Sequence, residues 1–335
     1  VSDQPGPILD ADAVMRRRRR NKRKSTPSKR VVYVALIGNL LVTATKFVAA
    51  AISGSSAMLS EGLHSLVDTS NELLLMYGMK RAGQQPDHDH PLGHGRELYF
   101  WSFIVAILIF ALGAGLSLYE GIGHIRHPTE LTRPGINYAV LALSFIFELG
   151  SWWVAFKAFR AAKGSQGYWE ALRQSKDPPN FMVLVEDSAA MLGILFAFAG
   201  IFAASKLQIP ELDGVASVAI GLLLAAVAAL LARESKSLLI GEPADPQVAD
   251  SILKLARSSP AVEKANGVLT VQMAPDQIVA ALSLELKDDL RTPQIEAAIA
   301  DLERQVRETH PQITTLFVKP QTPGRFAAAN AQRLS

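Results

Sequence analysis

The chain of 335 residues is nearly half hydrophobic and carries a formal net charge of +3. That composition fits one membrane domain joined to a small soluble domain better than a single globular unit. It contains no cysteine, which excludes disulfides, zinc ribbons and thiolate catalysis and leaves His, carboxylate, amide and carbonyl groups as the available metal donors.

The charge is unevenly spread. Arg16, Arg17, Arg18, Arg19 and Arg20, followed by Lys22, Arg23, Lys24, Lys29 and Arg30, make residues 1–30 a basic arm. The apolar stretch that follows is span-length and has no small-residue cleavage site at its end, so a retained span is expected rather than a secretory signal. A basic arm can bind nucleic acid. A cytoplasmic anchor obeying the positive-inside rule is the simpler account, and no nucleic-acid partner is expected.

Six segments reach the roughly 20 residues needed to cross a bilayer: 31–53, 57–79, 98–120, 137–159, 181–204 and 215–231. The second is the least apolar, because it holds Glu61, His64, Asp68, Asn71 and Glu72. A soluble amphipathic helix would carry such residues too. Only Gly54, Ser55 and Ser56 join this segment to the first, however, so a polar-faced span is expected. The arm, the second-to-third loop (Lys80, Arg81, Arg96), the fourth-to-fifth loop (Arg160, Lys163, Arg173, Lys176) and the stretch after the sixth span (Arg233, Lys236) are basic. The opposite loops hold Arg126, Arg133 and Lys206, and the bias puts both termini in the cytoplasm.

From about Pro243 the composition becomes that of a soluble domain. Asp245-Pro246 reads as an N-cap with Pro at the first helical position, followed by Val248, Ile252 and Leu255 on one face. Leu269, Val271 and Met273 alternate with polar residues, as do Ile278, Ala280, Leu282, Leu284 and Leu286. Ala274-Pro275-Asp276-Gln277 between them reads as a hairpin turn. Thr292-Pro293 starts a second helix striped by Ile295, Ile299, Leu302 and Val306, and residues 314–318 supply a last strand. The expected fold is therefore an α-helical membrane protein with six transmembrane helices over 31–240. A cytoplasmic α+β domain over 241–320 follows, in the order α-β-β-α-β and ferredoxin-like. Residues 321–335 lack periodicity and read as a disordered tail.

A charge at mid-bilayer costs about 2.5–3.5 kcal/mol on insertion scales, so each acid within a span needs a reason. Glu61, His64, Asp68 and Asn71 follow steps of three, four and three and share one helix face. His64 and Asp68 can present an imidazole nitrogen and a carboxylate to one ion, a set suited to a borderline or hard divalent cation. Taken alone, the pair suits a His–Asp hydrogen bond stapling the bundle equally well. The other spans favour the ion: Glu186 and Asp187 lie in the fifth, Glu148 in the fourth, and Asn39, Thr43 and Lys46 stripe the first. Acids converging in lipid repel one another unless a cation or protons neutralise them. Lys46 suits a structural salt bridge to Glu61 or Glu148. In the second-to-third loop, three of the seven histidines and two aspartates fall within eight residues, 87–94. This is metal-ligand density, although a solvated turn would also accommodate it. The spans hold no nucleophile–base pair, so no catalytic residue and no resident cofactor are expected.

Together these features resemble the cation diffusion facilitator family, whose members export zinc, manganese and related ions in exchange for protons. The family's second-span pattern is met by His64 and Asp68 within Ser60-Glu-Gly-Leu-His-Ser-Leu-Val-Asp68. Its loop signature is met by Asp87, His90 and His94, with Gly93, Gly95, Arg96 and Tyr99-Phe-Trp-Ser102 similar too. In the fifth span the position where zinc exporters place a His, four before the Asp, is Val183. The run Leu184-Val-Glu-Asp-Ser-Ala-Ala190 and Glu148 look like the branch related to zinc transporter nine. The resemblance implies a transport site of His64, Asp68 and Asp187, with Glu186, Asn39, Glu148 or water as fourth ligand. It implies a cytoplasmic loop site of Asp87, His90 and His94, and a homodimer formed through the C-terminal domain. The implied activity is proton-coupled efflux of Zn²⁺, with Mn²⁺ the alternative because the site is rich in oxygen. His310 is the only histidine after residue 240, so a metal-sensing cluster there is not expected. The competing reading is a non-transporting membrane scaffold that kept the fold, with the missing histidine as its signature. With no transit peptide evident, a bacterial inner membrane is the expected location.

Overall fold

In the computed structural model, residues 29–164 and 167–334 are described; the basic arm lies outside them apart from Lys29 and Arg30. The helices are α1 (Lys29–Ser53), α2 (Ser56–Ala82), α3 (Glu97–Arg126), α4 (Pro134–Lys163), α5 (Tyr168–Gln174), α6 (Pro178–Leu207) and α7 (Glu211–Ile240). Among the described residues α3, α4, α6 and α7 are long and apolar enough to cross a membrane. In α1 the described side chains give a shorter apolar run, Asn39–Ser53. α2 falls outside that class because of the acids and basic residues on it, the same feature that made it the least apolar expected span. Each of the later helices also runs past its expected ends.

Local signals account for the boundaries. The Ser55 hydroxyl accepts the Met58 backbone N–H at 3.1 Å and caps α2. Pro134 and Pro178 start α4 and α6 at positions where the missing N–H costs nothing. α3 is α-helical except over Ile109–Ala114, which forms a π-helical segment. Small residues then let α3 and α7 approach closely: a Cβ at Gly121 would lie 2.7 Å from Val218 N and 2.8 Å from Gly214 O. α1 packs on α2 and α4, and α2 and α4 each pack on α6. These four helices surround the polar residues, with the α3–α7 pair against α2.

After Gly241 the chain forms α8 (Pro246–Ser258), β1 (Val262–Ala274), β2 (Gln277–Leu286), α9 (Thr292–Thr309), β3 (Ile313–Pro320) and α10 (Pro323–Leu334). Asp245 caps α8 by accepting the Gln247 N–H at 2.8 Å. The sheet order is β1-β2-β3, with β1–β2 antiparallel around the Pro275-Asp276 turn and β2–β3 parallel. Ile278, Ala280, Leu282 and Leu284 of β2 are buried with Ile252 and Ala256 of α8 and Leu302 and Val306 of α9. The tail differs from expectation. Pro323–Leu334 is helical, and the Phe326 ring fills the space that a Cβ at Gly267 would occupy, 2.5 Å from its Cζ. The three consecutive alanines after Phe326 favour helix, and the aromatic anchor holds it to the sheet.

Candidate cation site within the bundle

The residues of the α2 face divide into satisfied and unsatisfied groups. Lys46 of α1 and Glu61 pair at 3.1 Å with both side chains fully buried, and Lys46 also donates to Ser65 Oγ at 2.7 Å. The expected salt bridge is therefore made to Glu61. One turn on, His64 is 2% exposed, and its Nδ1 lies 3.4 Å from Asp68 Oδ1. That contact lacks hydrogen-bond geometry: both ring nitrogens of His64 and Asp68 Oδ1 are buried with no hydrogen-bond partner among the described residues. A His–Asp staple would have satisfied one of them. Unpaired buried polar atoms cost about 1–3 kcal/mol each, so this cluster carries a polar demand that the described residues do not meet.

Asp187, on the facing helix α6, accepts a hydrogen bond from Ser151 Oγ at 2.8 Å. Its neighbour Glu186 is buried and accepts from Asn71 Nδ2 at 3.3 Å, while Asn71 Oδ1 has no hydrogen-bond partner among the described residues. The charges of Glu186, Glu148, Lys46 and Asp187 all act on Asp68, so α1, α2, α4 and α6 converge there. Asn39 is drawn elsewhere. Its Nδ2 donates to both oxygens of Glu72 at 3.0 Å. Glu72 was not singled out from sequence, although it sits four residues beyond Asp68 on the same face. Ser151 carried no sequence signal at all.

The loop residues form a second cluster. Asp87, His90 and His94 bring their ligand atoms within 4.8 Å of one another, the only such trio among the described residues. The residues expected to form the transport site are not gathered that closely. Asp87 accepts from the His90 backbone N–H at 2.7 Å and lies 3.0 Å from His94 Nε2. The His90 backbone N–H, then the His94 and His90 rings, hold the Asp87 carboxyl below its ordinary value. The loop also touches the sheet domain: a Cβ at Gly95 would meet Gln277 Oε1 at 2.6 Å and Met273 O at 2.8 Å. Lys176 and Glu242 pair across the same junction.

A helical bundle with ionisable residues facing one another across its spans, followed by a small sheet-and-helix domain, defines a multi-pass membrane protein of the ion-handling kind. Residues 32–240 match the cation efflux transmembrane domain family, and the chain belongs to that family, which is one of transporters rather than enzymes. The protein of Xenopus laevis named proton-coupled zinc antiporter SLC30A9, mitochondrial, is 35% identical over 251 residues, 74% of this chain and 45% of that protein. Metal tolerance protein C4 of Arabidopsis thaliana is 31% identical over 238 residues, 70% of this chain and 52% of that protein. Manganese efflux system protein MneP of Bacillus subtilis is 22% identical over 228 residues, 66% of this chain and 71% of that protein. The chain thus spans less than half the length of the first of these relatives.

Proposed function

We propose that the chain is a divalent-cation efflux transporter that exchanges Zn²⁺, or alternatively Mn²⁺, for protons. His64, Asp68 and Asp187 bind the ion, and Glu186 is the fourth ligand in best position. The observation that carries this reading is the set of buried, unpartnered atoms of His64 and Asp68, both ring nitrogens and Oδ1, on a helix faced by the acids of α4 and α6. A cation seated there supplies the positive charge that the converging carboxylates lack. When it leaves, protons on the same groups replace it, so binding of one excludes the other. Glu148 contributes charge from α4. Asn39 supports Glu72 rather than the ion.

Exposure rises along α2 from His64 through Asp68, whose side chain is 24% exposed, to the exposed Glu72. That gradient supports an arrangement open towards the end that carries the sheet domain. In this reading α1, α2, α3, α4, α6 and α7 are six spans, loop charge sets both termini in the cytoplasm, and Asp87, His90 and His94 hold a metal at the cytoplasmic surface. The C-terminal domain, residues 241–320, is ferredoxin-like and forms a homodimer. Its support is an apolar row across the outer face of the sheet, Leu269–Ala281–Phe317 in register, with Leu269 and Phe317 about half exposed. For the host membrane we retain the bacterial inner membrane. The mitochondrial address in the relatives' names is the alternative, and fractionation of the host cell decides between them.

The test is metal flux driven by a pH gradient in proteoliposomes, with Zn²⁺, Mn²⁺, Co²⁺ and Fe²⁺ in competition. Asp68→Ala and Asp187→Ala are expected to reduce flux to background. Full flux in both overturns the proposal. Absence of flux and of stoichiometric intramembrane binding in the wild type supports a scaffold that only keeps the fold.

A further inference from the structure

At the end of the bundle opposite the sheet domain lies a cavity of about 580 Å³, lined in part by Phe47, Ser56, Glu120, His124, His127 and Thr129. None of these residues belongs to the transport site. Within the cavity wall, the two ring nitrogens of His124 have different neighbours. Its Nε2 lies 3.4 Å from the Thr129 backbone N–H, which can only donate. Nε2 therefore keeps its lone pair, and the proton sits on Nδ1, 3.6 Å from Asp213 Oδ2. Asp213 is fully buried and fixed independently, accepting from Ser55 Oγ at 2.7 Å, Ser56 N at 2.6 Å and Ala57 N at 3.3 Å.

A buried carboxylate 3.6 Å from Nδ1, too far for a hydrogen bond but near enough to attract the ring electrostatically, leaves Nε2, through its lone pair, as the nitrogen that can ligate a metal. The Thr129 contact that occupies that lone pair is long for a hydrogen bond, so an incoming cation displaces little. Glu120 stands one turn before His124 on the same helix face and adds a carboxylate. His127 follows at the end of α3. Ser56 Oγ is buried in the same wall with no hydrogen-bond partner among the described residues. Phe47, besides lining the cavity, packs its ring on α2 at Gly62, 3.2 Å from where a Cβ would stand. It thus separates the cavity from the turn that carries His64.

We propose that this cavity is a second divalent-cation site, with His124 Nε2 and Glu120 as ligands, His127 and water completing the shell. The nitrogen and oxygen donors suit borderline divalent ions. Glu120, His124 and His127 are less tightly gathered than the loop trio, which suits a weak site that a cation occupies in passing. Its place on an export route rests on the proposed function; its capacity to bind a cation does not.

Cobalt(II) is the probe, titrated into the purified full chain carrying His64→Gln, Asp68→Asn, Asp87→Asn, His90→Gln and His94→Gln, with calorimetry and visible absorption as readouts. One Co²⁺ per chain is expected to remain. Its affinity is expected to fall at least about tenfold when either His124→Gln or Glu120→Gln is added, with the nitrogen-ligand absorption weakened for His124→Gln and kept for Glu120→Gln. No residual Co²⁺, or binding unchanged by both substitutions, overturns the proposal. Glu120→Gln, at a half-buried position, keeps the test decisive should His124→Gln fail to fold. Because the background lacks His64 and Asp68, failure of the transport reading leaves this result untouched.

Discussion

The cluster within the bundle and the loop trio use the same residue types under opposite constraints. In the bundle, His64, Asp68, Glu186 and Asp187 are drawn from helices that fold for other reasons, and several of their polar atoms are buried without partners. In the loop, Asp87 meets His90 and His94 at 3.0–3.3 Å, Asp87 and His90 stay exposed, and His94 Nδ1 is the one atom of the trio buried without a partner among the described residues. The first group has strong electrostatic demand and loose geometry. The second has tight geometry and little demand, because water screens it. Burial, rather than residue identity, separates a cluster with strong electrostatic demand from one that water largely satisfies.

Breaking the buried side should have the largest effect. Lys46→Met leaves Glu61 as an uncompensated buried charge and is expected to cost about 3–5 kcal/mol, read as a lowered unfolding midpoint in detergent. Adding Glu61→Gln should recover most of it. The junction comes next. Gly95→Ala places a methyl against Gln277, Met273 and Ala274, an overpacking worth about 1–3 kcal/mol, and should loosen the loop from the sheet in hydrogen exchange without abolishing flux. A smaller change sharpens the chemistry of the bundle. Val183→His restores a nitrogen one turn before Asp187 and is expected to shift competition from manganese towards zinc by roughly tenfold, about 1.4 kcal/mol.

The loop trio should respond least, and to acid. Because the folded Asp87 carboxyl titrates below its ordinary value of 3.8, its contribution is complete above that pH and is lost as pH falls through the depressed value. Slow exchange of the His90 amide should therefore persist at pH 4 and fade only in stronger acid. Asp87→Asn should remove that dependence. An unchanged profile in Asp87→Asn would assign the order of the loop to its packing on the sheet domain instead.

What the sequence made legible follows from how local each signal is. Helix starts at Pro246 and Pro293 and the two-residue turn at Pro275-Asp276 are set by adjacent residues, and they stand where the pattern put them. The α2 face was legible because helical spacing alone aligns Glu61, His64, Asp68 and Asn71. The partners of those residues were not. Ser151 meets Asp187 across 36 positions, and Asn39 turned to Glu72 across 33. The same holds for α10, whose Phe326 lies in a space left by the missing side chain of Gly267. Asp213 is the extreme case, since it holds Ser55 and Ser56 from more than 150 residues away.

That last contact also has a mechanical meaning. Asp213 ties the first turn of α2 to the first turn of α7, so any swing of α2 has its fulcrum there. At 1.5 Å per residue His64 stands about 12 Å from the pin and Ala82 about 39 Å from it. A given tilt therefore displaces the far end of the lever about three times as much as the histidine. The helix can widen one mouth of the bundle while the ligands near its hinge stay almost where they are.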